Sequence, residues 1–558
     1  MEKFPPLVPA EELKVLIIDN QGLVHDVISN ALKEVGIRRV DSAFNAFHAV
    51  RLCEQNTYDF VMIAFNVSVD KDGFHLFEEL KHHRHITDKT TVIFLSAETS
   101  QALVNCIVEL QPADFWVKPL DRNRIEQRLR YLINIRSKLH KLQCCLNQQD
   151  YSTAVYYAER QLMDKSVSEY HPRLKRIIGE SYLALRDYTT AEVYFRKLLQ
   201  QYDHAWVHMG LARALLRQNK LEETETLVED LLQRDDTRFL TYDLLAQYYI
   251  EKEEFDKAYE QMREASKLAP RNIERNKRLW DLARLNHDKP GQLMAVQNMA
   301  KYAKNSIHDS PELTLNVMRA TLDMATTASA GDAEKLVRKV EAELAELSKQ
   351  QGLDKVLTEQ FSVLNARVLC LRNQKKSAEA IMKTKKPDTD GLSMEDNLDK
   401  MKAFHELGMR EHCLALLEKL HKQIAGDTFT SQVVDEYLKQ ESIERKEINF
   451  TTRELKDMAA VNYKENRFVP AYNNLRQALT LSPGNKQIAL SLLKVLVQLN
   501  KKEPLSDEQL EQAVKAATTL SGVGPGTTQA EKRNEYVHLL NIEEQLNGVD
   551  EPASSLLT

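Results

Sequence analysis

Five short apolar runs divide the N-terminal part of the chain, and each gives way to small or polar residues. The first, Lys14-Val15-Leu16-Ile17-Ile18, is rich in β-branched side chains and stops at Asp19-Asn20. That is the pattern of a strand buried on both faces of a parallel sheet. The other runs end at Ala43, Ala64, Leu95 and Val117. After the first run, Val24, Val27, Ile28, Ala31, Leu32 and Val35 recur at helical spacing, and Gly36 supplies a stop. Strand and helix therefore alternate, which predicts an α/β domain with a five-stranded parallel sheet covered on both faces. Ligands of such sheets gather beyond the carboxyl ends of the strands, where Asp19, Asn20, Ala64, Ser96 and Lys118 fall.

Further along, strand patterns vanish and one helical unit recurs. In residues 174–203 the small and aromatic positions Gly179, Tyr182, Ala191 and Phe195 alternate around a turn at Asp187-Tyr188. The next unit carries Ala212, Leu215, Leu221, Thr224 and Val228, and the one after it Ala246, Tyr249, Phe255, Ala258, Met262, Ala265 and a closing Pro270. Thr224 follows Ala191 by 33 residues and Ala258 follows Thr224 by 34. Small residues let two helices approach closely while larger ones fill the gap beside the next pair, so the repeat carries a packing mechanism. The pattern resembles the tetratricopeptide repeat family, whose period is ~34 residues. A unit with Ala154 precedes these, and a later one contains Ala459, Phe468, Ala471, Leu475, Ala478 and Pro483. Weaker units centre on Ala295, Ala378 and Cys413, and Pro311 to Lys349 reads as longer, atypical helices. Arg217 and Asn219 stand near turns where glycine is usual. Arg122 to Leu146 reads as a helix running from the first domain into the solenoid. Lys386 to Gly391 reads as a loop and Ser521 to Gly526 as a flexible break.

Composition narrows the function classes. A chain of 558 residues exceeds what one core supports, so several cooperative units are expected. The net charge of −6, from 76 basic and 82 acidic residues, gives no whole-chain footprint for nucleic acid. No apolar segment is long enough to span a membrane, and the first residues lack a signal-peptide core, so a cytoplasmic location is expected. Cys53, Cys106, Cys144, Cys145, Cys370 and Cys413 show no metal spacing and read as reduced packing residues. The His82-His83-Arg84-His85 cluster reads as a solvated loop, and no metal is expected there. With no phosphate loop, nucleophile elbow or His-Glu-x-x-His motif, no enzymatic activity and no catalytic residue is expected.

The strand-end residues carry a second resemblance. Lys14 to Asp19, Asp59-Phe-Val-Met-Ile-Ala64, Asp72-Gly73, Phe94-Leu-Ser96-Ala97 and Phe115-Trp-Val-Lys118-Pro119 together resemble the receiver domain of two-component response regulators, over about residues 12 to 135. The resemblance implies that Asp19 and Asn20 occupy the acid pair that holds Mg²⁺ and Ala64 the position of the phosphoryl acceptor. It places Ser96 and Lys118 on the phosphoryl oxygens and Phe115 at the switch aromatic. Two of these positions lack the carboxylate the family uses, because a methyl group neither attacks phosphorus nor ligates a hard dication, and Asn20 is uncharged. No cofactor is therefore expected, Mg²⁺ included. Asp59 lies about five residues, roughly 16 Å of strand, from the wanted end. Asp70 and Asp72 lie in the loop beyond, and Asn66 has no nucleophilic carboxylate. Without an acceptor, Lys118 reads as a retained fold element pairing with Asp19.

Both resemblances together imply a flavodoxin-like α/β receiver followed by an all-α solenoid. The expected organisation is an extension over 1–11, a receiver-like domain over 12–135, repeats over 136–305, atypical helices over 306–355, degenerate repeats over 356–500, and a capping helix with a flexible tail over 501–558. They imply a bacterial phosphorelay protein acting as a non-enzymatic adaptor: the receiver docks a histidine kinase, a phosphotransfer protein or another receiver, and the repeats bind a further protein. Neither nucleic acid nor membrane is expected as a partner. The alternative is a phosphorylation-switched regulator using a non-standard acceptor. On the repeats, Lys175, His208 and Asn462 read first as an ordinary solvated face.

Overall fold

A computed structural model describes residues 4–67, 71–328, 330–349, 355–387, 392–423, 429–448, 450, 452–521 and 527–547. The strands are β1 (Lys14–Ile18), β2 (Arg39–Ala43), β3 (Phe60–Ala64), β4 (Thr91–Ser96) and β5 (Asp114–Val117). They form one parallel sheet in the order β2-β1-β3-β4-β5. Register sets Ile18 beside Ala43 and Ile63, Ala64 beside Leu95, and Ser96 beside Val117. The apolar runs become the central strands because every residue of β3 and nearly every residue of β1 and β4 is buried, whereas β2, at the edge, exposes Arg39 and Asp41.

The crossover helices are α1 (Gly22–Glu34), α2 (Ala46–Gln55), α3 (Gly73–His82), α4 (Gln101–Glu109) and α5 (Arg122–Lys138). Three of them begin at a side chain that accepts a bond from an orphan amide of the first turn: Asn45 from His48, Asp72 from His75 and Asp121 from Arg124. Asp72 is thus a helix cap rather than a loop carboxylate.

Arg122 to Leu146 is not a single helix. It breaks at Leu139, where φ is −100° and ψ 16°, and α6 (His140–Asn147) starts anew. The break lets Ile135, Leu139 and Leu142 all enter one apolar cluster with Ala154, Ala158 and Leu174.

Helices then follow one another as α7 (Tyr151–Leu162), α8 (His171–Ala184), α9 (Tyr188–Leu199), α10 (Ala205–Arg217), α11 (Leu221–Gln233), α12 (Arg238–Glu251), α13 (Phe255–Leu268), α14 (Ile273–Leu285) and α15 (Lys289–Ala303). The chain divides into two compact units: Met1–Tyr248 with Glu260–Ile273 and Lys301–Asp309, and Tyr249–Tyr259 with Glu274–Ala300 and Ser310–Thr558.

In the first unit the repeat core turns on Phe195, which is almost wholly buried between α8 and α10. A Cβ on Gly179 would lie 2.5 Å from its ring and one on Gly210 2.3 Å, so both helices need glycine there. Ala191, Ala212 and Ala246 are fully buried, and Tyr182 packs on Tyr194 with ring centroids 5.7 Å apart. The turns use residues in the left-handed region that are not glycine: Gln149 and Arg186 at φ 59° and Asn219 at φ 60°. Fixed hydrogen bonds over-determine these turns, as where Lys220 N donates to Leu215 O.

The second unit contains α16 (Pro311–Thr327), α17 (Ala330–Leu347), α18 (Lys355–Leu371), α19 (Lys375–Met382), α20 (Met394–Glu406), α21 (Arg410–Gln423) and α22 (Phe429–Glu447). After them come α23 (Thr452–Lys464), α24 (Phe468–Leu481), α25 (Lys486–Asn500), α26 (Asp507–Thr519), α27 (Thr528–Leu540) and α28 (Glu543–Asn547). Here α16 and α17 are the long helices of the Pro311 to Lys349 stretch. Ala258, Ala295, Ala378, Cys413, Ala459, Ala471 and Ala478 are buried, while Tyr249 and Pro483 are half-buried. In the first unit Pro270 is half-buried as well. Residues 388–391 and 522–526, within the two stretches read as loops, lie outside the described residues.

The interior of the second unit is ionic as well as apolar. Arg367, 1% exposed, reaches Asp399 at 2.6 Å, Asp323 at 2.8 Å and Glu406 at 3.1 Å. Arg319 pairs with Asp396, Arg284 with Glu395 and Asp281, and Lys402 with Asp323. These charges project from α14, α16, α18 and α20.

Candidate functional site

Parallel strands deliver their last residues to one edge of the sheet, and the candidate site is built there. Asp19 follows β1, held by its amide, which donates to Ala43 O at 3.0 Å. Its carboxylate is wholly buried: Oδ1 accepts from Gln21 N at 3.0 Å, and Oδ2 lies 2.6 Å from Lys118 Nζ. That contact is a close charge pair without hydrogen-bond alignment. The Lys118 side chain is 14% exposed, and its amide donates to Ser96 O at 2.8 Å. Ser96 Oγ accepts from Glu98 N at 3.0 Å, so the hydroxyl already caps its own loop. Asn20 is exposed, and Phe115 is half-buried against the core of the α/β domain.

Ala64, 1% exposed, closes the floor of this edge. The chain returns tightly over it: Gly73 N donates to Phe65 O at 2.6 Å, and a Cβ on Gly73 would stand 2.1 Å from Ala64 O. The Asp-Gly pair therefore serves two ends, Asp72 capping α3 and Gly73 permitting the close backbone approach.

The other acidic candidates sit elsewhere. Asp59 is at the opposite end of β3, where it accepts from Lys14 N at 3.0 Å and pairs with Arg136. Asp70 lies outside the described residues. Among the described residues, no three of His, Cys, Asp and Glu converge as a metal site would require.

Sequence reasoning missed the side chains that the repeats bring to this domain. Arg271, just past α13, pairs with Asp72, and its guanidinium stacks over Phe65 at 5.0 Å and Tyr302 at 5.5 Å. His75 Nε2 donates to Tyr302 O at 2.7 Å, and Asn105 Nδ2 to Leu268 O at 3.3 Å. Phe239 and Ala269 belong to the same apolar cluster as β1, β3 and β4. No local signal could have found these partners, which stand 163 to 227 residues apart.

On the repeats, Lys175 donates to Gln201 Oε1 and Tyr202 OH, each at 3.0 Å, and His208 pairs with Asp203 at 2.7 Å, so both already serve their own scaffold. Asn462 is half-buried. Helix α8 instead brings charges together. Partial burial pushes the Arg173 guanidinium below its ordinary value, with Arg176 adding repulsion and Glu180 attraction.

Residues 15–130 match the family described as response regulator receiver domain, and residues 182–248 match a tetratricopeptide repeat family. One curated relative is the "Probable chemotaxis protein CheY" of Rhizobium etli, 27% identical over 110 residues, which is 20% of this chain and 84% of that protein. Among solved structures, "Crystal structure of APC/C hetero-tetramer Cut9-Hcn1" aligns over 76% of this chain and 98% of that chain, at 15% identity and a TM-score of 0.26. "Structure of Naa15/Naa10 bound to HypK-THB" aligns over 68% of this chain and 69% of that chain, at 13% identity and a TM-score of 0.30. The chain thus joins an α/β receiver domain to an all-α, tetratricopeptide-type helical region, the make-up of a two-component signalling protein with protein-binding repeats.

Proposed function

We propose that this protein is a non-enzymatic adaptor of a phosphorelay, in which the receiver domain is kept for its surface and not for phosphoryl transfer. The observation that carries the reading is the sealed strand edge: Ala64 stands at the end of β3, and the nearby buried carboxylate, Asp19, lies 2.6 Å from Lys118. A receiver that works by phosphoryl transfer needs a nucleophile at the first place and a free cation at the second. Here a methyl group occupies one and an ion pair consumes the other.

The donor set does not fit Mg²⁺ either. The ion requires several oxygen ligands in near-octahedral order. Asp19 already uses one oxygen on Gln21 N and the other on Lys118, Asn20 is exposed and uncharged, and Ala64 has no ligand atom. In this reading Phe115, half-buried on the domain core, is either fixed in one rotamer or responds to the docking partner.

In this reading a histidine kinase, phosphotransfer protein or second receiver docks on the face formed by α1 and the end of β5. Leu23 is 75% exposed there and Val117 46%. The repeats hold a second protein. Among the described residues no helix is long and apolar enough to cross a membrane.

The test is incubation of the full chain with radiolabelled acetyl phosphate and Mg²⁺, followed by capture of signalling proteins on the immobilised protein. The reading expects no stable label and retention of at least one kinase, phosphotransfer protein or receiver. Ala64→Asp should recover little label, since Asn20 and the Asp19–Lys118 pair remain. Label on an aspartate of the native chain would overturn the reading in favour of a switched regulator with a non-standard acceptor.

A further inference from the structure

The contacts between the receiver domain and the helices of its own unit follow the period of the repeats. The receiver side chains Gln101, Asn105 and His75 donate to the backbone carbonyls of Asp235, Leu268 and Tyr302, at 3.2, 3.3 and 2.7 Å. Those three acceptors are spaced by 33 and 34 residues. Asp235 lies two residues past the end of α11, Leu268 is the last residue of α13, and Tyr302 the penultimate residue of α15. Each therefore belongs to the close of a second helix in successive hairpins.

Helix ends leave their last four carbonyls without intrahelical partners and carry partial negative charge, as at Leu268 and Tyr302, while Asp235 O lies in the turn just past α11. A row of such ends, one per repeat, is a regularly spaced ladder of acceptors. The receiver supplies matching donors: Gln101 and Asn105 stand one turn apart on α4, joined to each other at 3.0 Å, and His75 lies in the first turn of α3. Phe239, Leu240, Leu268 and Ala269 fill the space between these polar contacts and extend the receiver core into the repeats.

Arg271 adds a charge to the ladder. It pairs with Asp72, the residue that caps α3, while its guanidinium lies over Phe65 on the other side of the β3–α3 connection. One half-buried cation thus grips both ends of the segment that leaves Ala64 and enters α3. Burial, with the Asp72 charge, pushes the Glu78 carboxyl further along α3 up to about 7.

We propose that the α3–α4 face of the receiver is an intramolecular latch closed on the ends of three successive repeats, with Arg271 as its locking side chain. The face is then committed to the chain's own repeats. A partner that needs α4 must displace them. The proposal does not depend on whether the strand edge is phosphorylated.

Hydrogen exchange on the full-length protein tests it through a double-mutant cycle. Asp72→Asn keeps the cap, since asparagine caps as well as aspartate, and removes only the charge. Arg271→Gln removes the other partner. Each single variant is expected to speed exchange of the α3 and α4 amides by about tenfold, the worth of one charge-assisted hydrogen bond, and the double variant to add little more. Amides of β1 and of α8 should keep their native protection, which separates latch opening from unfolding. Unchanged α3 and α4 exchange in Arg271→Gln, or fully additive effects of the two changes, would overturn the proposal. Asn105→Ala, which leaves the cap and ion pair intact, supplies an independent arm: it should loosen α4 by a smaller factor, and native exchange there would also count against the latch.

Discussion

The receiver domain and the second helical unit solve the same problem with opposite chemistry. The receiver buries Val15, Leu16, Ile17, Ile18, Phe60 and Phe94 around its sheet, and among its described residues the one wholly buried carboxylate, Asp19, faces Lys118 at the edge. The second unit buries Arg284, Arg319, Arg367, Asp323, Asp396 and Asp399 in its interior. An apolar core tolerates loss of a partner in proportion to the volume removed. A charged interior does not, because removing one ion leaves its partners desolvated and unpaired. The lesson is that the two regions should fail differently: the receiver by degrees, the second unit abruptly at a few arginines.

The largest expected effect tests that contrast directly. Arg367→Met strips the shared cation from Asp323, Asp399 and Glu406, and should cost about 3–5 kcal/mol in urea unfolding of the transition that reports the second unit. A loss below about 1 kcal/mol would mean that water already screens the cluster, and the contrast would collapse.

A smaller effect belongs to the apolar first unit. Gly210→Ala puts a methyl group against the buried Phe195 ring, and should cost about 1–3 kcal/mol in the same experiment while leaving receiver exchange native. Wild-type stability would show that the ring moves aside freely and that the repeat does not depend on the glycine.

The smallest effect is a cancellation in pH. Burial raises Asp281 and Glu444 to about 7, so the folded unit keeps protons that the unfolded chain has lost, and that stabilisation fades as pH rises from about 4 to 7. Burial lowers His287 to about 4 and His405 to about 3, and their contribution is complete above 6.5 and fades as pH falls through those values. Two groups of each sign make the melting temperature of the second unit nearly flat between about pH 4.5 and 6.5. At lower pH the unit should weaken. Although burial alone would raise Glu441, Arg445, Lys402 and Lys289 together hold it down at about 2, and its protonation removes their partner. A steep slope across the middle window, followed by differential scanning calorimetry, would show that the raised carboxyls and the lowered histidines do not balance.

Legibility follows the same division. Apolar runs of five residues can be buried on both faces only as central strands, so the strand ends were readable at Ile18, Ala64 and Leu95. The period of the first repeats was readable because Ala191 and Ala258 must be small wherever two helices touch. Gly210 escaped notice, since the small position sought in that helix was Ala212. The turns were readable at Asp187-Tyr188 and Asn219 without glycine, and Gln149, Arg186 and Asn219 take the left-handed conformation there instead. The ionic interior was least legible. Arg319, Arg367, Asp396 and Asp399 have the composition and spacing of an ordinary solvated helix face.

By itself the sequence determined which segments are strands and helices, and which side chains reach the carboxyl edge of the sheet, because those follow from local periodicity and chain direction. It also determined that residue 64 offers a methyl group and residue 20 an amide, whatever the fold does around them. Tertiary structure alone decided that Lys118 stands against Asp19, that Arg271 grips the β3–α3 connection, and that Arg367 is buried among three acids. Those facts join residues up to 199 positions apart, and no local pattern encodes which of many similar charges will meet once the chain has closed.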